Sequence, residues 1–389
     1  MKLSRRKFIL IAGSSTVIVA AGKAAIDLDK MPSTAIAAWS ESRQPELDIR
    51  KRVLSYAILA PNPHNMQPWI VDLRQPGQIN LYCDRTRLLP QTDPFSRQIL
   101  IGYGAFLELL DIAASAEGYR ADITNFPQGE FGDRVDERPV ASIRLVPDTK
   151  RERDPLFQQI LHRRSTKVPF DRSKSLLPEH GQGLATAYSN SDCKLTIATD
   201  PARVRGLQGV LQSGMEIEMR TPRTHQESVD LMRIGASEVE QNRNGISLTG
   251  ASISLGRLFG MVNRTKLADP TSSAFQSGVT MYRDITAATP AFAWITTSRN
   301  TRSTQLAVGR AYARLNLQAT ALGVAMHPMT QVLQEYAEMR ALQRGFLAML
   351  EIPAGHTVQM LVRLGYAERP GSFAPSGVVG FAVIVECYE

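Results

Sequence analysis

The sequence predicts an α+β protein built from two related halves. Segments with strand periodicity and segments with helical periodicity are mixed along the chain without strict alternation. This mixture favours a layered α+β domain over a doubly wound parallel sheet. An internal repeat supports the two halves, because QILIG at 98–102 resembles QLAVG at 305–309. Both strings open a long Ala- and Leu-rich helix that ends near a glycine.

The first half is predicted to hold two helices and three strands. A helix over 47–59 stops at the string APNP, where two prolines cannot continue it. The other predicted elements are strands at 69–73 and 79–83, an amphipathic helix at 98–117 and a strand at 140–146. We place this half at 38–150 and treat 32–45 as a polar linker.

The second half is predicted at 151–389 and is longer because it carries a helical insertion or lid at about 208–289. Its predicted elements are helical segments at 156–162 and 178–189, a strand at 193–198, a mostly helical region at 203–265, a strand at 291–297, a helix at 304–322 and a strand at 359–364. A turn at 323–331 follows the long helix.

Residues 1–37 read as a twin-arginine signal peptide. The string SRRKFIL at 4–10 precedes an apolar stretch at 9–21, which is too short to cross a bilayer comfortably. Small residues at 35–37 fit a cleavage site, and 21–23 and 24–25 are rival positions. This predicts a twin-arginine export partner and a periplasmic or otherwise extracytoplasmic location. The alternative is an uncleaved membrane anchor.

Composition excludes several classes of function. The 389 residues are 43% hydrophobic and 21% charged, as in globular proteins. The net charge of +8 falls to about +4 without residues 1–37. The sequence has no run of basic residues interleaved with aromatic ones, so it does not support nucleic-acid binding. The three cysteines and six histidines lack metal-ligand spacing, so we expect no metal, and a single disulfide stays open.

The string APNPHNMQPW at 60–69 is the first candidate binding motif. Its three prolines restrict the loop, and its Asn and Gln side chains each offer a donor and an acceptor. Such a loop suits the edge of a planar heterocycle with alternating C=O and N–H groups. The alternative is a Pro-rich turn that only ends a helix.

Two further motifs lie in the second half. RRSTKVPF at 163–170 gathers two guanidinium groups, two hydroxyls and one ammonium, which suits an anion, although a solvated basic turn is the alternative. GVAMHPMTQ at 323–331 follows a helix end and could aim a backbone N–H at a ligand, or could simply pack.

Together these motifs resemble the nitroreductase family. APNPHNMQPW is similar to that family's A-P-S-x-x-N-x-Q-P-W signature, and RRSTKVPFD is similar to its R-x-S-x-[RK]-x-[FY] motif. The run 308–331 and the string LVRLGY at 361–366 resemble its penultimate helix, the turn after it and a late strand. The resemblance implies a nitroreductase-like fold and an FMN cofactor.

The order of the two motifs is unusual. In ordinary family members the basic motif comes first, whereas here it follows the amide-bearing loop by about a hundred residues. The family is normally a homodimer with FMN sites at its interface. The resemblance therefore implies a monomeric internal pseudo-dimer with one FMN site, similar to the Acg-type branch of FMN-binding oxidoreductases.

The resemblance also implies roles for particular residues. The FMN phosphate would lie against Arg163, Arg164 and Ser165, with Lys167 also at the cofactor. The isoalloxazine ring would be lined from the other half by Pro63, His64, Asn65 and Gln67, and its N5 edge would be approached by backbone groups of Pro328, Met329 and Thr330. A basic pair that often follows the late strand is reduced here to Arg369.

The implied activity is FMN-dependent reduction of an electron-poor acceptor such as a nitro compound or quinone. No acid–base residue is needed for hydride transfer, so we name no catalytic residue. The alternative is a non-catalytic FMN-binding or flavin-sequestering protein, because NAD(P)H should be scarce outside the cytoplasm and the insertion could act as a lid.

Overall fold

The computed structural model describes residues 30–40, 48–186 and 192–368 and Pro375. The twin-arginine string, the rival cleavage positions at 21–25, and Arg369 lie outside the described residues.

The first half forms a four-stranded antiparallel sheet with two helices. Its elements are α1 (Ile49–Ala57), β1 (Trp69–Asp72), β2 (Gln78–Cys83), α2 (Arg97–Ala116), β3 (Tyr119–Asn125) and β4 (Ala141–Pro147). The strand order is β1-β2-β4-β3. Burial alternates along β2 and β4, so one face of this sheet packs on the core with α2 and the other is more open.

The second half begins with α3 (Pro178–Thr186) and β5 (Cys193–Ala198) and then carries the insertion. The insertion comprises α4 (Pro201–Arg220), α5 (Pro222–Asp230), β6 (Met232–Ile234), α6 (Ala236–Gln241), β7 (Ile246–Leu248), α7 (Ala251–Leu258), α8 (Arg264–Ala268) and α9 (Ser273–Ala287). The region predicted as mostly helical therefore also contains a small parallel pair, β6 with β7. Gly235 and Gly250 adopt positive φ angles of 90° and 103°, which interrupt the helices at these strands.

The chain then completes the second sheet. The remaining elements are β8 (Ala291–Thr297), α10 (Arg302–Ala321), β9 (Ala325–Pro328), α11 (Arg340–Met349) and β10 (Thr357–Gly365). All seven residues of β8 are buried because helices cover both faces of this sheet, with α10 on one side and α4 and α11 on the other.

The two halves repeat one topology. The second sheet has the order β5-β8-β10-β9, which matches β1-β2-β4-β3 position by position, and α2 and α10 each follow the second strand of their sheet. Both helices have 20 residues, and their starts at Arg97 and Arg302 lie 205 residues apart. The predicted two-half fold is confirmed in this sense. The sequence match aligns Gln98 with Gln305, an offset two residues larger than the observed one. Similarity between the two strings does not determine the register in which the helices cross.

Two glycines set that register. A Cβ atom on Gly104 would lie 2.0 Å from the Leu306 carbonyl oxygen, and one on Gly309 would lie 1.9 Å from the Ile101 carbonyl oxygen. The reciprocal contacts show that α2 and α10 cross in a nearly two-fold manner. Within the described residues α2 is the one helix long and apolar enough to cross a membrane, and it is mostly buried in this core.

Two predicted irregular segments are ordered differently from expectation. The turn predicted at 323–331 contains β9, which pairs with β10 at the edge of the second sheet. The predicted polar linker contains a 3-10 helix, Ser33–Trp39, because Ala35 and Trp39 are buried against the rest of the protein. Among the described residues of the linker, Ala35, Ile36, Ala38 and Trp39 are buried or partly buried, and this apolar pattern is too short to predict an element.

The insertion is tied to the second half through a buried carboxylate. Glu218 on α4 accepts a hydrogen bond from the side-chain amide of Gln334 at 2.8 Å. No arginine or lysine charge is among the causes that shift its pKa, and burial raises that pKa to about 7. The folded protein therefore binds this proton more tightly than the unfolded chain does.

We expect Glu218→Gln to remove a pH-dependent loss of stability. A carboxyl whose folded pKa exceeds its unfolded value costs nothing at low pH and destabilises as pH rises through the folded value. The free energy of unfolding of the variant should exceed that of the parent by on the order of 2–3 kcal/mol at pH 8, and the difference should shrink towards pH 5. Urea unfolding across this range measures it. The partly exposed neighbour Glu216, changed to Gln, gives the control variant.

Candidate functional site

The loop that follows α1 is held in an unusual backbone conformation. His64, Asn65 and Gln67 have φ angles of 49°, 54° and 49°, in the left-handed region that non-glycine residues rarely occupy. Clusters of such residues persist only where the surroundings fix them, and they concentrate at binding sites. The sequence predicted a stiff loop from its prolines but gave no sign of these angles.

Neighbouring side chains of the first half hold this loop in place through hydrogen bonds. The Tyr103 hydroxyl on α2 donates to the Pro68 carbonyl at 2.6 Å, and the Arg87 guanidinium donates to the Gln67 carbonyl at 3.0 Å. The Asn62 side chain accepts from the Gln67 backbone N–H at 2.9 Å. The loop is thus anchored to the first half at both ends.

The basic segment at 163–170 is anchored to the second sheet. The Thr166 N–H donates to the Met326 carbonyl at 2.9 Å. Arg363 on β10 is fully buried, donates to the Thr166 and Val168 carbonyls at 2.7 Å each, and lies 3.9 Å from the Phe170 ring centroid. Arg363 was not predicted as a site residue. A charged residue inside the apolar strand LVRLG was the one signal available for it.

The structure brings the two motifs together although about a hundred residues separate them. The Arg163 guanidinium donates to the carbonyl of Leu59, directly before the amide-bearing loop, at 2.8 Å. Burial, with the nearby Lys167 charge as a second cause, lowers the pKa of His64 to about 4. The exposed Lys167 side chain therefore faces the loop from the other half.

Arg163 carries a charge that the described residues do not neutralise. It is 4% exposed, burial lowers its pKa to about 10, and no carboxylate is among the causes that shift that pKa. Its Nε is buried without a hydrogen-bond partner among the described residues, and the Trp39 ring lies 5.3 Å from its Cζ. A buried, uncompensated guanidinium is costly on its own, and a phosphate would supply the missing charge and acceptors. The residues present therefore fit the phosphate end of FMN.

Arg164 and Ser165 lie beside this group. Arg164 donates to the Leu161 carbonyl at 3.2 Å, and burial, with the Arg163 charge as a second cause, lowers its pKa to about 10. Ser165 is half-buried. Two adjacent guanidinium groups with depressed pKa values make this segment the strongest concentration of positive charge around the loop.

The turn after β9 reaches the same region. The Thr330 hydroxyl donates to the Gln98 side chain at the start of α2 at 2.8 Å, so the turn lies beside the first half. Pro328 has no N–H, and the Met329 N–H donates to the Leu361 carbonyl at 2.9 Å. Sheet pairing therefore uses the Met329 N–H, and the expectation that backbone groups of Pro328, Met329 and Thr330 approach a ligand stays a prediction. Thr330 retains the N–H that could approach a ligand.

The insertion contacts the amides predicted to face the ring. The Gln67 side chain donates to the Arg243 carbonyl of the insertion at 2.7 Å, whereas the Asn65 side chain donates to the carbonyl of Pro375, which follows β10, at 2.9 Å. The Gly245 N–H donates in return to the Asn65 carbonyl at 3.0 Å. The segment 243–245 thus covers the amide-bearing loop.

A cleft of about 680 Å³ lies elsewhere on the second half. Its lining includes Lys194, Arg203, Trp294 and His356, and none of the predicted site residues. Charges of both signs surround it, so it gives no clear ligand preference.

The fold and the site define a two-half α+β protein with a buried, uncompensated guanidinium at the junction between the halves. The nitroreductase family model matches residues 160–366, more than half of the chain, and the chain belongs to the nitroreductase family. The matched region includes the basic segment and the turn after β9, whereas the amide-bearing loop lies before it.

Individual relatives resemble most of the chain. One relative from Mycobacterium tuberculosis carries the provisional name NAD(P)H nitroreductase acg. It is 27% identical over 336 residues, which cover 82% of this chain and 89% of the relative. The uncharacterised M. tuberculosis protein Rv3127 is 28% identical over 335 residues, covering 82% and 86%. The structure of a Bacteroides fragilis nitroreductase with bound FMN is 16% identical and covers 60% of this chain and all of that one, with a TM-score of 0.35.

Proposed function

We propose that this protein is an FMN-dependent oxidoreductase with one cofactor site per chain. The observation that carries the proposal is the buried Arg163, whose charge lacks a carboxylate and whose Nε lacks a partner among the described residues, at the junction of the two motifs. Membership of the nitroreductase family agrees with a flavin at this position.

The residues around the junction have distinct roles in this proposal. The phosphate would be held by Arg163, Arg164 and Ser165. The ring would be bordered by Lys167, Pro63, His64, Asn65, Gln67 and backbone groups of Pro328, Met329 and Thr330. Bound FMN supplies two-electron redox chemistry. The Lys167 charge would favour negative charge on the ring, which is a form of electrostatic preorganisation.

We expect one FMN per monomer. The basic segment occurs once and meets one amide-bearing loop, so a second equivalent site has no ligands. Flavin released from the purified protein, divided by protein concentration, measures the ratio, and light scattering gives the mass. A ratio near two, or FMN binding that requires a homodimer, would contradict the single-site pseudo-dimer.

The proposed reaction is reduction of an electron-poor acceptor such as a nitro compound or quinone. Anaerobic mixing with NADH or NADPH should bleach the bound flavin, and adding a nitroaromatic or a quinone should restore its absorbance. If dithionite bleaches the flavin and neither NADH nor NADPH does, the nicotinamide-dependent activity is refuted.

One observation favours a second candidate function, a non-catalytic flavin-binding protein. The Arg243 carbonyl of the insertion accepts a hydrogen bond from the Gln67 side chain, and the Gly245 N–H donates to the Asn65 carbonyl, so the insertion lies over the loop. In that case flavin would bind in a one-to-one ratio, and neither nitroaromatics nor quinones would reoxidise it faster than they reoxidise free reduced flavin.

We also propose export through the twin-arginine route. The string SRRKFIL supports it, and the buried Ala35 and Trp39 favour cleavage upstream of the 3-10 helix rather than at 35–37. N-terminal sequencing of exported protein tests the position, and changing Arg5→Lys together with Arg6→Lys should retain the chain in the cytoplasm. Export of that double variant would refute the route.

A further inference from the structure

Two polar side chains on the central helix of the second half are buried without partners. Tyr312 and Asn316 are 2% and 1% exposed. The Tyr312 hydroxyl and both polar atoms of the Asn316 amide have no hydrogen-bond partner among the described residues. Most buried polar groups in proteins are satisfied, so three unsatisfied atoms on one helix need a reason.

The two side chains share one face of α10 and lie beside the basic segment. Their four-residue spacing places them one turn apart on the same side of the helix. Burial raises the pKa of Tyr312 to about 12, and the Arg163 charge together with the nearby Asn316 and Ser165 side chains opposes that rise. The Arg163 Nε is also unpartnered among the described residues. Unsatisfied donors of Arg163, Tyr312 and Asn316 therefore lie close to one another.

The repeated fold offers an internal comparison. The offset of 205 residues that relates α2 to α10 places Leu107 opposite Tyr312 in the repeat. Leu107 is fully buried in an apolar core, and no R-x-S-x-[RK] segment accompanies the first half. A polar residue thus stands at this helix position in the half that carries the basic segment.

We propose that Tyr312 and Asn316 bind the cofactor phosphate together with Arg163 and Ser165. The inference rests on the proposed function, since it assigns further ligands to the same site. A tyrosine hydroxyl and an amide N–H would add neutral donors to the charged guanidinium group of Arg163.

The test compares FMN with riboflavin, which carries the same ring but no phosphate. Quenching of flavin fluorescence gives both dissociation constants for the parent protein, Tyr312→Phe and Asn316→Leu. Each variant should weaken FMN binding about tenfold or more and leave riboflavin binding nearly unchanged, because each loses a hydrogen bond to a charged group. Tyr336→Phe is the matched control, since Tyr336 also has a buried, unpartnered hydroxyl but lies against Arg223, away from the basic segment.

Thermal unfolding of the cofactor-free proteins separates binding from a structural role. Both variants replace unsatisfied polar groups with apolar ones, so their melting temperatures should equal or exceed that of the parent. Lower melting temperatures with equal losses for both flavins would overturn the inference, as would an unchanged preference for FMN over riboflavin. A parent protein that binds neither flavin would instead overturn the proposed function itself.

Discussion

Arg163→Met is expected to abolish practical FMN binding without destabilising the cofactor-free protein. The buried guanidinium has no carboxylate among the causes that shift its pKa, and burial has already lowered that pKa to about 10. Removing the partner of a buried, charged phosphate typically costs about 2–5 kcal/mol of binding free energy. The dissociation constant from fluorescence titration should rise accordingly.

The free energy of unfolding of the cofactor-free Arg163→Met variant should rise or stay constant, although its FMN affinity falls. Methionine has similar length and no charge to bury, although the Leu59 carbonyl loses its donor at 2.8 Å. Urea unfolding of the cofactor-free variant measures the balance. Arg164→Met is the control and should affect FMN less, because Arg164 is only half-buried. Unchanged FMN affinity in Arg163→Met would place the phosphate elsewhere.

Elements with a complete local pattern could be predicted from the sequence. The strand predicted at 291–297 has the observed bounds, because a run buried on both faces is continuously apolar. Strand β3, Tyr119–Asn125, was missed because it is half-exposed and mostly polar, and its structure comes from pairing with β4. Local patterns therefore fail where a distant partner strand decides the conformation.

The same distinction applies to the candidate site. The basic segment and the amide-bearing loop carry their chemistry in contiguous residues, and the structure brings them together as the two-half reading requires. The contact of Gln67 with Arg243 spans 176 residues and involves a backbone carbonyl, for which no sequence pattern exists. Tyr312 and Asn316 also looked like ordinary helix positions until their burial without partners was visible.

The crossing of the two central helices gives the largest expected effect on stability. Gly309→Ala would place a methyl group 1.9 Å from the Ile101 carbonyl oxygen and 2.7 Å from the Gly104 Cα. Both are backbone atoms, so no side-chain rotation can relieve the overlap, and the helices must separate. Overpacking usually costs 1–3 kcal/mol, and a backbone clash belongs at or above the upper end, so we expect about 3 kcal/mol or more.

Urea unfolding measures this loss, and Gly209→Ala on α4 is the matched control. A Cβ at Gly209 meets nothing within 4 Å, so alanine there should stabilise the helix by roughly 0.5–1 kcal/mol through its higher helix propensity. Gly104→Ala should match Gly309→Ala, because the reciprocal contact at Leu306 is 2.0 Å. Since the proposed cofactor site draws its residues from both halves, the two destabilised variants should also lose FMN affinity. Wild-type stability in either variant would show that the halves do not meet at these glycines.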